Sequence, residues 1–180
     1  MAAFSGSSPS SGGEPQTALL FRTGPLDLAL PIADVREVLA CPELTQGPVQ
    51  PPFIAGFFSL DGQVALVLRL DRVLGLPDSP EDLYAPLLHL AGPGPARLLL
   101  VDRAAAVIPV TNAVPAAPGE SFNGCVTARF EHAGRLVHLL DRDALLLTAE
   151  EAATRSFVEA STARLDALIE TARPDDAEVS

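Results

Sequence analysis

From residue 17 to residue 147 short apolar runs alternate with polar or Pro/Gly punctuation, and that rhythm predicts strands. TALLFRT (17–23) and LDLALP (26–31) are joined by Gly24 and Pro25 and read as a hairpin; their near-continuous apolarity implies burial on both faces. ADVREVLA (33–40) breaks the rhythm. Val35, Val38 and Leu39 share one helical face, Arg36 and Glu37 point to solvent, and Pro42 ends the run, so a short helix is expected. Residues 42–52, rich in Pro and Gly, predict an extended arm.

Residues 57–60 and 63–70 are β-compatible runs on either side of Asp61 and Gly62. That pair is the connection a type I′ hairpin turn demands, because both central residues need positive φ. Asp71 is placed to cap a short helix through Leu74, with Gly75 closing it. Residues 78–85 predict a loop with one helical turn, with Ser79 as cap, Pro80 in the first position and Asp82 near its N-terminus. PLLHLAG, ARLLLVD and AAVIPVTN are three more strand candidates, followed by a Pro-rich connection over 113–123. In GCVTARFEHAGRLVHLLD, Val126, Ala128 and Phe130 lie on one face, and Ala133-Gly134 turns the chain into a last strand over 136–140. About nine short strands with helices only as punctuation, and no strand–helix–strand repeat, point to small barrels or a sandwich.

A different element opens at Thr148. Thr148 and Glu151 have capping-box spacing. Ala153, Phe157, Ser161, Leu165, Leu168 and Ile169 form one stripe, and Glu151 with Arg155 and Arg155 with Glu159 are i,i+4 pairs on the wet side. The pattern predicts an amphipathic helix over 148–173. Its apolar stripe is expected to pack on the lobes or on a second copy of the chain, which would make the helix a route to self-association. Residues 1–16, composed of Gly, Ser, Pro and Ala with one charge, predict a disordered tail; 174–180 predict an acidic one. The organisation expected is therefore a tail, a β domain over 17–147, the helix, and a second tail.

Composition narrows the function. The 180 residues are 48% apolar, enough for a core without staples, but only 5% aromatic and without Trp, so Leu, Val, Ile and Ala must fill it. There is no Lys; 12 Arg face 23 acids, for a net charge of −11. Nucleic acid and anionic membrane surfaces both demand a basic footprint, so neither is an expected partner. No run approaches the ~20 apolar residues of a membrane span, and the first residues lack a basic, apolar leader pattern; a cytoplasmic protein without membrane insertion is expected. Cys41 and Cys125 have no ligand-spaced neighbour and read as two reduced, mostly buried thiols.

Candidate chemistry is sparse. His132 and His138 flank one turn and are placed to face each other across a hairpin, but without a third ligand a metal site is not expected. Ser121, His138 and Asp141 lack a nucleophile elbow. GPGPAR (92–97) contains two Pro that remove amide donors, so it is a poor phosphate loop. No cofactor and no catalytic group is expected, which leaves the inventory of a binding module.

The ordered series of segments resembles the CheW-like domain. That family reads Pro-x-hydrophobic-x-Gly, a strand, a Leu-Arg-Gly turn, a second strand and a short Leu-Gly-Leu helix. Here Pro52-Phe-Ile-Ala-Gly56, Leu60-Asp-Gly62, Val64-Ala-Leu-Val-Leu-Arg-Leu70, Asp71 and Leu74-Gly75-Leu76 stand in that order. Upstream, Leu28-Ala-Leu-Pro-Ile32 and Val35-Arg-Glu-Val38 match its early segment; downstream, Leu98-Leu-Leu-Val-Asp102, Val107, Leu139-Leu140 and Leu145 match its later ones. The resemblance covers residues 17–147. It implies a mainly β fold of two small five-stranded barrel-like lobes with short helices and a C-terminal α-helix, no catalysis and no cofactor. It also implies an adaptor that couples the cytoplasmic tip of chemoreceptors to the regulatory domain of a CheA-type histidine kinase. The partner-binding positions it implies are Arg36, Glu37, Val38, Ile54, Leu60, Asp61 and Gly62. One departure stands out: Asp61 replaces the usual turn Arg, so that it and Glu37, a complementary pair in the family, are both acidic; either Arg36 takes over the role or the partner surface differs. The Ala-rich stretch 104–106 is a second departure. The alternatives are an adaptor of the same fold serving another sensory array with altered receptor contact, or a small hydrolase using the His132/His138 region.

Overall fold

The computed structural model describes residues 16–79, 82, 84–122, 124–146 and 148–172, without the side chains of 148 and 149. All but the last residue of the expected tail over 1–16, the helical turn opening at Pro80, the Thr148 side-chain cap, and everything from Arg173 on, including the acidic tail, lie outside the described residues.

The described residues form eleven strands: β1 (Thr17–Thr23), β2 (Leu26–Pro31), β3 (Val35–Ala40), β4 (Ile54–Leu60), β5 (Gln63–Arg69), β6 (Pro86–Leu90), β7 (Ala96–Leu100), β8 (Arg103–Pro109), β9 (Val114–Pro115), β10 (Val126–His132) and β11 (Arg135–Leu140). Two α-helices, α1 (Leu70–Val73) and α2 (Thr148–Thr171), and three 3-10 turns complete the described chain. The strands make two sheets, ordered β8-β1-β2-β11-β10-β9 and β3-β6-β7-β5-β4. Apart from the two-residue β9, both follow one plan. An outer strand pairs antiparallel with a hairpin, the hairpin joins a second hairpin through a parallel pair, and that parallel pair is β2 with β11 in one sheet and β7 with β5 in the other. In chain order the terminal lobe opens with the first hairpin, β1–β2, and is completed by β8–β11. The middle lobe, β3–β7, is inserted between the two parts.

Each sheet is covered on both faces. From β1, Leu19 and Phe21 join a central core with Leu66 and Leu68 of β5, while Ala18 turns to a second cluster with Ile108, Phe130 and Val137. In the middle lobe Ala65, Val67, Leu87 and Leu98 form a third cluster on the opposite side of β5. The continuous apolarity of the runs is the sequence trace of this two-sided burial. The Asp61-Gly62 turn has φ of 51° and 79°, the positive pair expected.

Three expectations are corrected. The segment VREVLA is strand β3, preceded by a 3-10 turn over Ile32–Asp34, not a helix. Val35 lies opposite Leu90 and Glu37 opposite His89, so Arg36 is an extra residue bulging the strand. The bulge breaks the two-residue alternation and leaves a spacing that mimics a helical face. Asp71 is not the cap of α1, whose first flanking residue is Arg69; it is buried in the first turn. Its carboxylate accepts from Arg69 Nη2 at 2.8 Å and Nε at 3.3 Å, and from the amides of Arg72 (2.9 Å) and Ser79 (3.2 Å). Finally, Glu151 turns away from Arg155 and binds Arg97 of β7 through two 2.8 Å hydrogen bonds; neither expected i,i+4 pair forms among the described residues.

The stripe on α2 is covered only along its first half. Thr154, Phe157 and Ser161 are buried and Leu165 half-buried, but Leu168 and Ile169 are 66% and 69% exposed. The Phe157 ring meets Phe57 edge-on, centroids 5.9 Å apart, and lies so close to Gly47 that a Cβ there would sit 2.5 Å from it. The helix is thus held to the middle lobe, although it follows the terminal lobe in sequence.

Phe157→Ala is expected to destabilise the fold by about 3 kcal/mol, the scale for deleting a buried ring, and Gly47→Ala to destabilise it by about 1–3 kcal/mol through overpacking; equilibrium urea unfolding measures both. A second outcome follows from Asp71. Burial alone would raise its pKa, but the Arg69 guanidinium and the Ser79 and Arg72 amides outweigh burial and lower it. Its stabilising contribution is then present above about pH 3.9, the unfolded value, and is lost as pH falls through the lower folded value. Asp71→Asn should flatten the acid limb of a stability–pH curve while lowering stability at neutral pH.

Candidate partner-binding surface

The seven positions singled out from sequence fall on the middle lobe. Arg36, Glu37 and Val38 are exposed on β3, an edge strand paired only with β6. Leu60, Asp61 and Gly62 form the tip of the β4–β5 hairpin, with Leu60 half-buried and the other two exposed. Ile54 is 2% exposed and belongs to the core, which corrects its expected role as a contact: it can support a surface from beneath but offers almost none.

The structure brings Arg36, Leu60 and Asp61 together on one concavity of about 330 Å³. Its floor is the Gly/Pro turn over 91–95, and Arg97 and Arg142 complete its wall. Arg142, just after β11, reaches across from the terminal lobe: Nη1 donates to the Ala91 carbonyl, and Nε lies 3.4 Å from both Asp34 and Asp143. With Arg97 held by Glu151, Arg36 is the one cavity arginine without an ion-pair partner among the described residues.

Glu37 does not itself line this concavity, although the residue it binds does. It pairs with its cross-strand neighbour His89, Nδ1 to Oε1 3.0 Å, with the imidazole buried beneath it. The acidic turn residue Asp61 therefore shares its concavity with a basic residue from β3, and the acidic residue of β3 meets that concavity only through His89, which lines it. Sequence reasoning missed His89 and Arg142 because both act through residues roughly fifty positions or more away.

The residues considered for chemistry do not assemble. His132 and His138 do not face each other: His132 is opposite Arg135, and His138 is opposite Arg129 with its ring edge-on to Phe122. Ser121 Oγ donates to the Pro118 carbonyl at 3.0 Å, and Asp141 Oδ1 accepts from the Asp143 amide at 2.9 Å. Among the described residues no group of three His, Cys, Asp or Glu could hold a metal ion. No described helix is long and apolar enough to cross a membrane.

An edge strand, an exposed hairpin tip and a shallow charged concavity on a two-lobed β body define a binding module. The chain belongs to the CheW-like domain family, whose model matches residues 17–150. Among solved structures it is similar to the scaffolding protein TtCheW from Thermoanaerobacter tengcongensis, at 22% identity and a TM-score of 0.65, over 71% of this chain and 90% of that one. No curated protein matches.

The two thiols differ in reach. Cys41 is half-exposed, so the expectation of mostly buried thiols holds for Cys125 only. Burial pushes the Cys125 thiol up to about 11, with the carboxylates of Asp141 and Glu150 acting the same way, and Sγ donates to the Phe122 carbonyl at 2.9 Å. Burial raises Cys41 as well. Since the thiolate is the reactive form, iodoacetamide at pH 8 should modify Cys41 first and Cys125 only on unfolding, resolved by peptide mass spectrometry.

Proposed function

We propose that this protein is a non-catalytic, cytoplasmic adaptor that couples the tip of a chemoreceptor to the regulatory domain of a CheA-type histidine kinase. The observation that carries the reading is the family match across both lobes, joined to a middle lobe that presents β3 and the β4–β5 tip to solvent. An adaptor needs two separate faces on a rigid body and no reacting groups. The charged concavity around Arg36 and Asp61 is the receptor-facing candidate, with Leu60 as its apolar contact, Val38 exposed beside it on β3 and Glu37 held in place by His89.

The inverted charge at the hairpin tip favours a second reading, in which the adaptor serves a receptor whose tip is basic where others are acidic. Aspartate suits the left-handed φ of position 61, so the substitution is compatible with the turn and its consequences fall on recognition. Rim charges act mainly on association rate and salt dependence, desolvated pairs on affinity.

Asp61→Arg should leave the melting temperature within a few degrees and change receptor-tip binding far more than kinase binding. Titration of both partners against wild type and variant at two salt concentrations checks this. Equal effects on both, or none on either, would remove the hairpin tip from the receptor-facing surface.

A further inference from the structure

A second cleft, of about 700 Å³, lies where the two lobes meet and shares none of the Arg36–Asp61 surface. Thr23, at the end of β1, and Asp102 approach it from the terminal side; Arg69, Asp71 and Ser79 approach from the middle lobe. Three carboxylates, Asp71, Asp82 and Asp102, stand against one guanidinium, Arg69, and that guanidinium is bound by Asp71. Asp102 uses only Oδ2, which accepts from the Gly24 amide at 2.7 Å and from Ser79 Oγ at 3.1 Å. Its Oδ1 has no donor among the described residues, and neither Asp102 nor Asp82 has an ion-pair partner there.

Thr23 is the independent sign that something else belongs in the cleft. It is 1% exposed, yet its hydroxyl has no hydrogen-bond partner. A dehydrated, unpaired hydroxyl is a standing penalty that native proteins seldom keep without use. Asp71 marks the contrast, because all its lone-pair directions are met within the fold.

We propose that this inter-lobe cleft binds a guanidinium or ammonium group carried on an apolar stem, as in an arginine or lysine side chain of a partner segment or a free alkylguanidinium. Such a group donates to Asp102 Oδ1 and to the Thr23 hydroxyl, which only accepts from it. Its methylenes lie against Leu44, Ala55 and Leu100, the accessible apolar part of the wall. An anion would meet two uncompensated carboxylates, and a pure hydrocarbon would leave both Thr23 and Asp102 unpaired. The volume exceeds a single side chain and suits a short segment around it.

The test is calorimetric titration of the full chain with three probes: an acetylated Leu-Arg-Leu amide, its Leu-Gln-Leu counterpart, and butylguanidinium. The arginine tripeptide should bind at least tenfold more tightly than the glutamine one. Tighter binding of the tripeptide than of butylguanidinium assigns the site to a protein segment; equal binding assigns it to a free cation. Thr23→Val keeps the β-branched shape and removes the unpaired hydroxyl, so it should weaken binding severalfold while leaving the melting temperature unchanged or raised. Asp102→Asn retains an acceptor for Gly24 and Ser79, and should weaken binding about tenfold and flatten its salt dependence. Failure of every probe to bind, equal binding of the two tripeptides, or unchanged affinity in both variants would overturn the proposal.

Discussion

The parallel pairing of β2 with β11 is the constraint on which the rest of the structure rests. Val137, His138 and Leu139 lie opposite Asp27, Leu28 and Ala29, about as far apart in sequence as this fold allows. Arg135 reinforces the seam by reaching Asp27 at 2.7 Å. Without this pair the terminal lobe would be an outer strand and one hairpin, with β10 and β11 exposed on an open edge. With it, the first hairpin closes the lobe and commits Phe21, Leu28 and Leu30 to the central core shared with β5. Because the loop entropy of that closure must be met before the contacts reward it, the terminal lobe is the high-contact-order part of the fold. The middle lobe, built from consecutive strands, closes over a shorter span, the pairing of β3 with β6.

The legibility of the chain follows the same division between local and distant interactions. Hairpins were readable wherever turn chemistry and flanking apolarity sit side by side, as at Asp61-Gly62 and Ala133-Gly134. The edge strand β3 was not, because the bulge at Arg36 gives VREVLA the spacing of a helix; only pairing with β6, some fifty residues on, decides for strand. β9 is two residues in a Pro-rich connection and leaves almost no pattern. Asp71 looked like a cap from its position before an apolar turn, whereas Arg69, two residues back, and the distant amide of Ser79 make it a buried anchor.

The candidate surface was legible in part for the same reason. Its hairpin tip and its β3 residues were marked by the ordered series of family segments, and the structure brings Arg36, Leu60 and Asp61 to one concavity. The partners that define their electrostatics, His89 under Glu37 and Glu151 on Arg97, come from elements far along the chain. The inter-lobe cleft had no trace in sequence at all. Thr23 is an ordinary strand residue and Asp102 an ordinary turn residue until the pairing of the first hairpin with β8 and β11 carries one beside the other, where the Gly24 amide binds Asp102.

The adaptor role proposed above would require a fixed angle between two faces, and the lobes are tied by contacts of unlike kind. The shared apolar core resists separation but is non-directional, so by itself it would tolerate rotation of one lobe on the other. Direction comes from Arg142, which leaves β11 and bonds Asp34 and the Ala91 carbonyl, and from α2, which leaves the terminal lobe and docks on the middle one. The Arg97–Glu151 fork sets the helix azimuth, and Phe157 between Gly47 and Phe57 sets its depth. A single partly exposed ion pair is worth at most about 1 kcal/mol. Its contribution here is geometric: paired with a buried ring nearly two turns further along, it leaves the helix one way to lie, and through the helix it leaves the two lobes one way to face.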